Sequence, residues 1–128
     1  MPQPTEFHHR LAGKTAIVTG AGSLQGAGVG IGKAIALLFA REGAKVCLVD
    51  RKPERAEATR KLIASAGGKS FVCAADVTSS ADCARIAEAT LDHFGRIDVL
   101  VNNVGIGLGG GRLEQMEEAV WDNVVDVN

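Results

Sequence analysis

The sequence predicts an α/β fold in which one parallel β-sheet carries helices on both faces. Short apolar runs alternate four times with longer amphipathic segments along the 128 residues. Glycines mark several changes from one kind of segment to the other, and 46% of the residues are hydrophobic, enough for a core. Because neighbouring parallel strands require a long crossover, this alternation indicates consecutive strand–helix–strand units in a doubly wound sheet.

The first strand and the first helix are predicted on either side of a glycine-rich segment. The uncharged run Thr15–Thr19 is typical of a buried strand and ends at Gly20. The following helix ends at Gly43, a residue suited to a helix C-terminus. Its apolar residues recur at helical spacing: Ile31, Ile35, Leu38 and Phe39. Ile31 is expected to be the first of these to contact the core.

The second strand, its helix and the third strand follow the same pattern. The second strand is predicted at Lys45–Asp50, an apolar run that ends in an acid. Its helix begins near Pro53, because proline is favourable at the first helical position, and ends at Gly67-Gly68. The third strand is predicted at Ser70–Ala75.

The third helix and the fourth strand complete the predicted sheet. Ser79 or Ser80 can cap this helix, and Gly95 ends it. Its predicted apolar face consists of Cys83, Ile86, Ala87, Thr90, Leu91 and Phe94. The fourth strand, Ile97–Val101, is almost wholly apolar and lacks the lysines or prolines that protect sheet edges. Since a 3-2-1-4 strand order leaves this strand at an edge, the sequence is predicted to belong to a larger sheet.

The last part of the chain is predicted as a glycine-rich loop from Gly105 to Gly111, followed by a helical stretch from Leu113 to about Val125. Residues 1–10 are expected to be a disordered or loosely ordered arm. Residues 11–128 are expected to be one domain, incomplete at its C-terminus. The fold is thus predicted to be truncated after the fourth strand and the start of the following helix.

Composition and charge exclude several function classes. The 14 Lys and Arg residues against 15 Asp and Glu give a formal net charge of −1, with no block of like charge. This balance argues against electrostatic binding of nucleic acid or of a membrane surface. The three cysteines lack CxxC spacing, so neither a disulfide framework nor a metal site is expected, and Cys47 and Cys73 are predicted to be buried thiols. The N-terminus has no apolar leader segment, which predicts a cytoplasmic protein.

The segment TGAGSLQGAGVGIG between the first strand and the first helix is typical of a turn that binds a pyrophosphate. Glycines there let backbone N–H groups approach the phosphates, and the helix N-terminus stabilises their charge. The acid Asp50 lies 18 residues after Gly32, close to the ~20 expected between such a turn and the acid that binds the ribose. These features together predict a Rossmann-type site for a dinucleotide.

This turn resembles that of the short-chain dehydrogenase/reductase family, Thr-Gly-x-x-x-Gly-x-Gly. Thr19-Gly20 match its start, but position 24 is Leu where the family spacing requires Gly. The motif glycines are therefore either Gly26 with Gly28, or Gly30 with Gly32. In the first case three further positions of the early helix would be glycine, each costing ~1 kcal/mol relative to Ala. We therefore place the motif at Gly30 and Gly32, with six extra residues, Leu24 to Val29.

The resemblance implies a set of cofactor-binding residues in the turn: Gly20, Ser23, Gly30, Ile31 and Gly32. At the end of the second strand, Asp50 would accept hydrogen bonds from the ribose hydroxyls and repel a 2′-phosphate. This acid favours NAD over NADP. The resemblance also assigns the adjacent Arg51 to the cofactor. Arg51 and Lys52 favour NADP instead, since a guanidinium can pair with a 2′-phosphate.

Three later segments extend the resemblance to most of the chain from Leu11 onward. Asp76-Val77 looks like the family's Asp-Val pair at the adenine ring. The tetrapeptide Asn-Asn-Val-Gly, with Asn103 and Gly105 assigned to the cofactor, is similar to the family's Asn-Asn-Ala-Gly with Val in place of Ala. The C-terminal WDNVVDVN resembles the helix that carries the family's catalytic asparagine, which aligns with Asn128.

The family's remaining catalytic residues, a Ser and a Tyr-x-x-x-Lys, have no counterpart here, and the 128 residues include no tyrosine. The resemblance therefore predicts the cofactor-binding part of an NAD(H)-dependent oxidoreductase that interconverts a secondary alcohol and a ketone, inactive as this chain alone. It implies a small-molecule substrate, and a homo-oligomer for full-length relatives. A non-catalytic dinucleotide-binding or interaction module, complete at residue 128, is the alternative. A methyltransferase is a third possibility, which the Asp-Val and Asn-Asn-Val-Gly segments disfavour.

Overall fold

A four-stranded parallel sheet forms the centre of the molecule. The computed structural model describes residues 9–22, 30–107 and 111–128. The strands are β1 (Thr15–Thr19), β2 (Lys45–Asp50), β3 (Lys69–Ala74) and β4 (Val99–Val101). Their order is β3-β2-β1-β4 and all pairings are parallel, which confirms the predicted doubly wound topology.

Within the described residues, four helices and one short 3-10 turn connect and follow these strands. The helices are α1 (Ile31–Arg41), α2 (Pro53–Ser65), α3 (Ser80–Phe94) and α4 (Glu118–Val127), and the 3-10 turn is Leu113–Gln115. None of the described helices is long and apolar enough to cross a lipid bilayer.

The core lies on both faces of β2. Val46 and Leu48 pack on one face with residues of α1 and α2, and Cys47 and Val49 pack on the other with Ile86 of α3. All four β2 residues are at most 1% exposed. A strand covered on both faces has no polar side, so β2 is an uninterrupted apolar run, and its bounds are those predicted.

The predicted packing face of α1 is partly wrong. Ile31 is 72% exposed and does not contact the core, and Leu38 is 47% exposed. Instead α1 turns the small residues Gly32 and Ala36 toward the sheet. A methyl group on Gly32 would lie 2.1 Å from the carbonyl oxygen of Gly20, so the helix backbone approaches β1 too closely for a bulky side chain on that face.

The ends of α3 are as predicted, but its packing face is narrower. The Ser79 hydroxyl accepts a hydrogen bond from the Asp82 N–H, and Gly95 ends the helix with φ 79°. Ile86 and Thr90 are buried, whereas the predicted face residues Cys83 and Leu91 are exposed. Leu91 is one position, or 100°, around the helix from Thr90, which is enough to turn it away from the sheet.

The predicted strand and helix bounds near the C-terminus also differ. The Asp98 N–H donates to the Thr15 carbonyl, and the Asp98 carboxylate accepts the Thr15 N–H, so β4 starts at Val99 rather than at Ile97. The predicted last helix is divided, because Met116 and Glu117 adopt extended backbone angles between the 3-10 turn and α4. β3 is shifted by one residue, to Lys69–Ala74.

Candidate dinucleotide site

The glycine turn after β1 brings the backbone of α1 against the end of the sheet. Gly30 is the N-cap of α1, so the helix starts where the predicted motif register places it. A Cβ on Gly32 would clash with the Gly20 carbonyl, and a Cβ on Gly22 would lie 2.4 Å from the Cβ of Arg55. Glycine is therefore required at both positions for close backbone approach. The predicted cofactor residue Ser23 and the extra residues Leu24 to Val29 lie outside the described residues.

A cleft of about 730 Å³ opens at the carboxyl ends of the strands. Its size lies within the range typical of small-molecule sites, and its place is where open parallel sheets bind ligands. Most of the residues predicted for the cofactor line it: Gly20, Gly30, Asp50, Arg51, Asp76, Val77, Asn103 and Gly105. The structure thus brings together residues that are up to 85 positions apart in the sequence.

The other predicted site residues lie behind or beside this cleft. Gly32 is buried in the first turn of α1 and does not line the cleft, and neither does the exposed Ile31. Asn128 does not line the cleft itself, but its side-chain amide is hydrogen-bonded to Ile106, which does. The roles of these residues toward a cofactor remain predictions.

Several lining residues were not individually assigned to the cofactor from the sequence. These are Gly22, Val49, Arg55, Thr78, Val104, Ile106, Gly107, Asn123 and Val127. Gly22 lies in the glycine-rich turn and could have been assigned with its neighbours. Asn123 and Val127 are four residues apart, so they share one face of α4; both lie within WDNVVDVN, in which a role was assigned to Asn128 alone. Arg55 is brought to the cleft by the start of α2.

The Asp50 carboxylate connects the end of β2 to the glycine turn. Its Oδ2 accepts the Gly22 N–H at 3.2 Å, and its Oδ1 accepts the Lys52 N–H at 2.9 Å. A second bond holds the same turn, because the buried Thr59 hydroxyl of α2 donates to the Ala21 carbonyl at 2.8 Å. Ala21 and Gly22 are thereby fixed to both β2 and α2.

The Asp76 carboxylate is organised by its own loop. Its Oδ1 accepts both the N–H and the hydroxyl of Thr78, at 2.9 and 2.7 Å. The hydroxyl bond, with the backbone bond next, lowers the pKa of Asp76 below its ordinary value, so this carboxyl is ionised at neutral pH. An ionised carboxylate there has acceptor capacity for an amine at the same edge of the cleft.

Asn103 is held at the end of β4 by Thr19 of β1. The Thr19 hydroxyl donates to the Val101 carbonyl and accepts the Asn103 N–H at 3.0 Å. The Asn103 side-chain amide donates to the Thr19 carbonyl at 3.1 Å and to the Gly20 carbonyl at 3.4 Å. The buried threonine hydroxyl therefore fixes both the direction of the chain after β4 and the amide beside the glycine turn.

Asn128 and Ile106 form a reciprocal pair. The Ile106 N–H donates to the Asn128 Oδ1 at 2.9 Å, and the Asn128 amide donates to the Ile106 carbonyl at 2.8 Å. The C-terminal end of α4 is thereby fixed to the loop that borders the cleft. In this structure Asn128 orients the backbone of that loop.

Comparisons with known proteins agree with this geometry. The family model described as short chain dehydrogenase matches residues 14–128. The 7alpha-hydroxysteroid dehydrogenase of Escherichia coli K12 is 41% identical over 102 residues, which are 80% of this chain and 36% of that protein. The chain spans less than half the length of the curated relatives it matches.

Two solved structures of relatives were determined with a nicotinamide dinucleotide. The 3-ketoacyl-(acyl-carrier-protein) reductase from Brucella melitensis, complexed with NADH, has a TM-score of 0.81 and 41% identity over 91% of this chain and 44% of that one. A metagenomic short-chain oxidoreductase in complex with NADP has the same TM-score and identity, and covers 91% of this chain and 50% of that one. Because the family match extends over almost the whole chain, this protein belongs to the short-chain dehydrogenase/reductase family of oxidoreductases.

Proposed function

We propose that this chain is the NAD(H)-binding part of an oxidoreductase that interconverts a secondary alcohol and a ketone. The observation that carries the proposal is the place of Asp50, at the end of β2, in the same cleft as Gly20 and Gly30. A carboxylate there accepts hydrogen bonds from ribose hydroxyls and repels a 2′-phosphate. The family, the glycine turn and the relatives solved with NADH or NADP support the nucleotide class.

The residues of the cleft fit such a cofactor. A Cβ on Gly22 or Gly32 would clash with neighbouring atoms, so glycine at both positions lets the chain after β1 and the start of α1 pack closely beside the cleft. Gly30 places the N-terminus of α1 at the cleft, where the helix dipole favours a pyrophosphate. When bound, the nicotinamide ring supplies the hydride chemistry, and the residues of this chain bind and orient the nucleotide.

Asn103 and Asn128 have different parts in this proposal. Asn103 fixes the end of β4 beside the glycine turn, on the path of the cofactor. Asn128 orients the Ile106 backbone at the edge of the cleft. The 128 residues contain no tyrosine, so they supply no tyrosyl proton donor. We therefore expect this chain on its own to bind the dinucleotide without turning over an alcohol or a ketone.

The test is a fluorescence titration of the chain with NADH and with NADPH. We expect NADH to bind at least about tenfold more tightly, a difference of about 1.4 kcal/mol. In Asp50→Ser this preference should disappear, because the charge that repels the 2′-phosphate is removed. Asp92→Asn, which removes one charge from α3 outside the cleft, is the matched control and should keep the preference.

The titration also distinguishes the competing possibilities. Tighter binding of NADPH would overturn the assignment of NAD and give weight to Arg51 and Arg55, which both line the cleft. Binding of neither dinucleotide by the folded chain, checked by circular dichroism, would overturn the proposed function. Measured dehydrogenase activity of this chain alone would refute the expectation that it only binds.

A further inference from the structure

The loop between β3 and α3 forms one wall of the cleft. Asp76, Val77 and Thr78 of this loop all line it. A short loop that recognises a flat base must present its backbone and its carboxylate at fixed positions, because a shift of about 1 Å lengthens a hydrogen bond beyond its useful range. The residues that hold this loop in place therefore determine the geometry of this wall of the cleft.

Asp82 of α3 binds the start of this loop. Its Oδ2 accepts the Asp76 backbone N–H at 2.7 Å, a short bond of the kind formed by an ionised acceptor. The Asp82 backbone N–H donates to the Ser79 hydroxyl at 3.2 Å, and the Ser79 N–H donates to the Asp76 carbonyl at 3.0 Å. Asp76 is thus held through both its N–H and its carbonyl by the first turn of α3.

Arg85 connects the same carboxylate to the end of β3. One guanidinium nitrogen donates to the Asp82 Oδ1 at 3.0 Å and to the Ala74 carbonyl at 2.7 Å. The last residue of β3 and the first part of the loop are therefore bound by two side chains that are one turn apart on α3. Neither Asp82 nor Arg85 lines the cleft.

We propose that Asp82 and Arg85 are positioning residues for the adenosine half of the dinucleotide. They fix the backbone at Asp76 so that its carboxylate and the neighbouring Val77 face the cleft in one arrangement. The inference rests on the proposed function, since it names the part of the cofactor that this loop would contact. It assigns a role to two residues that lie outside the cleft and outside the motifs of the sequence.

Helix capping by Asp82 explains less of this geometry than positioning of the loop does. An acid in the first turn stabilises a helix through the helix dipole and the helix's own N–H groups. The Asp82 carboxylate instead accepts an N–H from a residue six positions earlier, outside the helix. That backbone bond, followed by Arg85, lowers the pKa of Asp82, so the carboxylate is charged at neutral pH. The ion pair itself is half exposed and contributes little by its charge alone.

The experiment compares Asp82→Ala with Glu88→Ala, an exposed acid on the same helix. The first readout is hydrogen exchange of the Asp76 amide, measured by NMR without any cofactor. We expect exchange to accelerate about tenfold or more in Asp82→Ala, the change that corresponds to loss of one hydrogen bond to a charged acceptor. Asp82→Asn retains an acceptor oxygen and should restore most of the protection, and Glu88→Ala should resemble the unsubstituted chain.

The second readout separates positioning from a general loss of structure. Affinity is measured for NADH and for reduced nicotinamide mononucleotide, which lacks the adenosine. Asp82→Ala should weaken NADH binding about tenfold and leave the mononucleotide unchanged. Arg85→Met should give a smaller change in the same direction, because the Asp82 bond to Asp76 remains.

Each possible result decides the inference. Equal weakening of both nucleotides, or NADH affinity and Asp76 exchange within twofold of the Glu88→Ala control, would overturn it. If Asp82→Ala does not fold, Arg85→Met decides the inference: relative to the Glu88→Ala control it should weaken NADH binding and accelerate Asp76 exchange, and leave mononucleotide binding unchanged. If the unsubstituted chain binds neither nucleotide, the proposed function fails. Amide exchange then still decides whether Asp82 fixes the loop.

Discussion

The two sides of the sheet hold their parts of the cleft by different means. On the β2 side, the strand is covered by helices on both faces, and Val46, Leu48 and Val49 are at most 1% exposed. On the β4 side, the strand has three residues, none of them buried, and Leu100 is 57% exposed. No residue of α4 is buried.

Each side nevertheless presents a polar residue to the same cleft. Asp50 is the last residue of β2, so the packing of the strand fixes its backbone. Asn103 follows β4, and it is fixed by hydrogen bonds to Thr19 and Gly20. Burial of β2 therefore positions the Asp50 wall of the cleft, whereas a small hydrogen-bond network positions the Asn103 wall. Substitutions in the two walls should therefore have different signatures.

The largest expected effect is in the buried wall. Leu48→Ala should lower the free energy of unfolding by about 2–5 kcal/mol, because it removes a completely buried side chain and leaves a cavity. Leu100→Ala, the matched change on β4, should cost well under half as much, since that side chain is more than half exposed. Urea unfolding measures both. Similar losses for the two variants would mean that β4 is packed as tightly as β2.

A smaller effect is expected in the hydrogen-bonded wall. Thr19→Val keeps the shape of the side chain but removes the hydroxyl that bonds Val101 and Asn103, and should cost about 1–3 kcal/mol. It should also accelerate amide exchange at Asn103. Thr90→Val is the control, because the Thr90 hydroxyl is also buried but donates to the Ile86 carbonyl of its own helix, beside the Cys47 thiol of β2. If the control is equally destabilised and equally affects Asn103 exchange, the network has no special role.

The smallest effect at neutral pH is expected for the charged Asp98 carboxylate, which joins β1 to the start of β4. Hydrogen bonds from the Arg96 guanidinium, and then from the Thr15 N–H, lower the pKa of Asp98 from 3.8 to about 2. Because the folded pKa is the lower one, the stabilisation is present above pH 4 and is lost as the pH falls from about 4 to 2. Urea unfolding should therefore show a loss of stability over this interval.

The variant Asp98→Asn isolates this contribution from the other carboxylates. Its unfolding free energy should fall less between pH 5 and pH 2 than that of the unsubstituted chain. Asp92→Asn, on the exposed side of α3, should keep the full decrease. An unchanged decrease in Asp98→Asn would mean that the acid sensitivity comes from elsewhere in the molecule.

The same contrast explains which features could be predicted from the sequence. The bounds of β1 and β2 are those predicted, because their residues are buried without interruption and form continuous apolar runs. The start of β4 was predicted two residues too early, since the Asp98–Thr15 hydrogen bonds leave no trace in hydrophobic periodicity. Ile31 was wrongly placed in the core, because the closeness of α1 to Gly20 is a tertiary property.

The candidate site was predicted in part for a similar reason. Residues at the ends of parallel strands meet at one edge, so the topology alone predicts that Asp50, Asp76 and Asn103 are close together. Arg55 and Asn123 reach the cleft because of how α2 and α4 are placed, and no residue pattern assigned either of them to the cofactor. The positions of strand ends follow from the order of the elements, whereas the contributions of helix faces depend on packing.

The two reciprocal hydrogen bonds between Ile106 and Asn128 close the segment that runs from the end of β4 to the end of α4. The two bonded residues lie 22 positions apart in the sequence. Because these hydrogen bonds fix the two ends relative to each other, the position of the ends does not depend on how many residues lie between them. The entropic cost of a longer loop grows slowly, by only about 0.6 kcal/mol for each doubling. Insertions between Gly111 and Glu117, before α4 begins, should therefore be accommodated at little cost, which leaves the length of that connection open to change while Asn123 and Val127 still line the cleft.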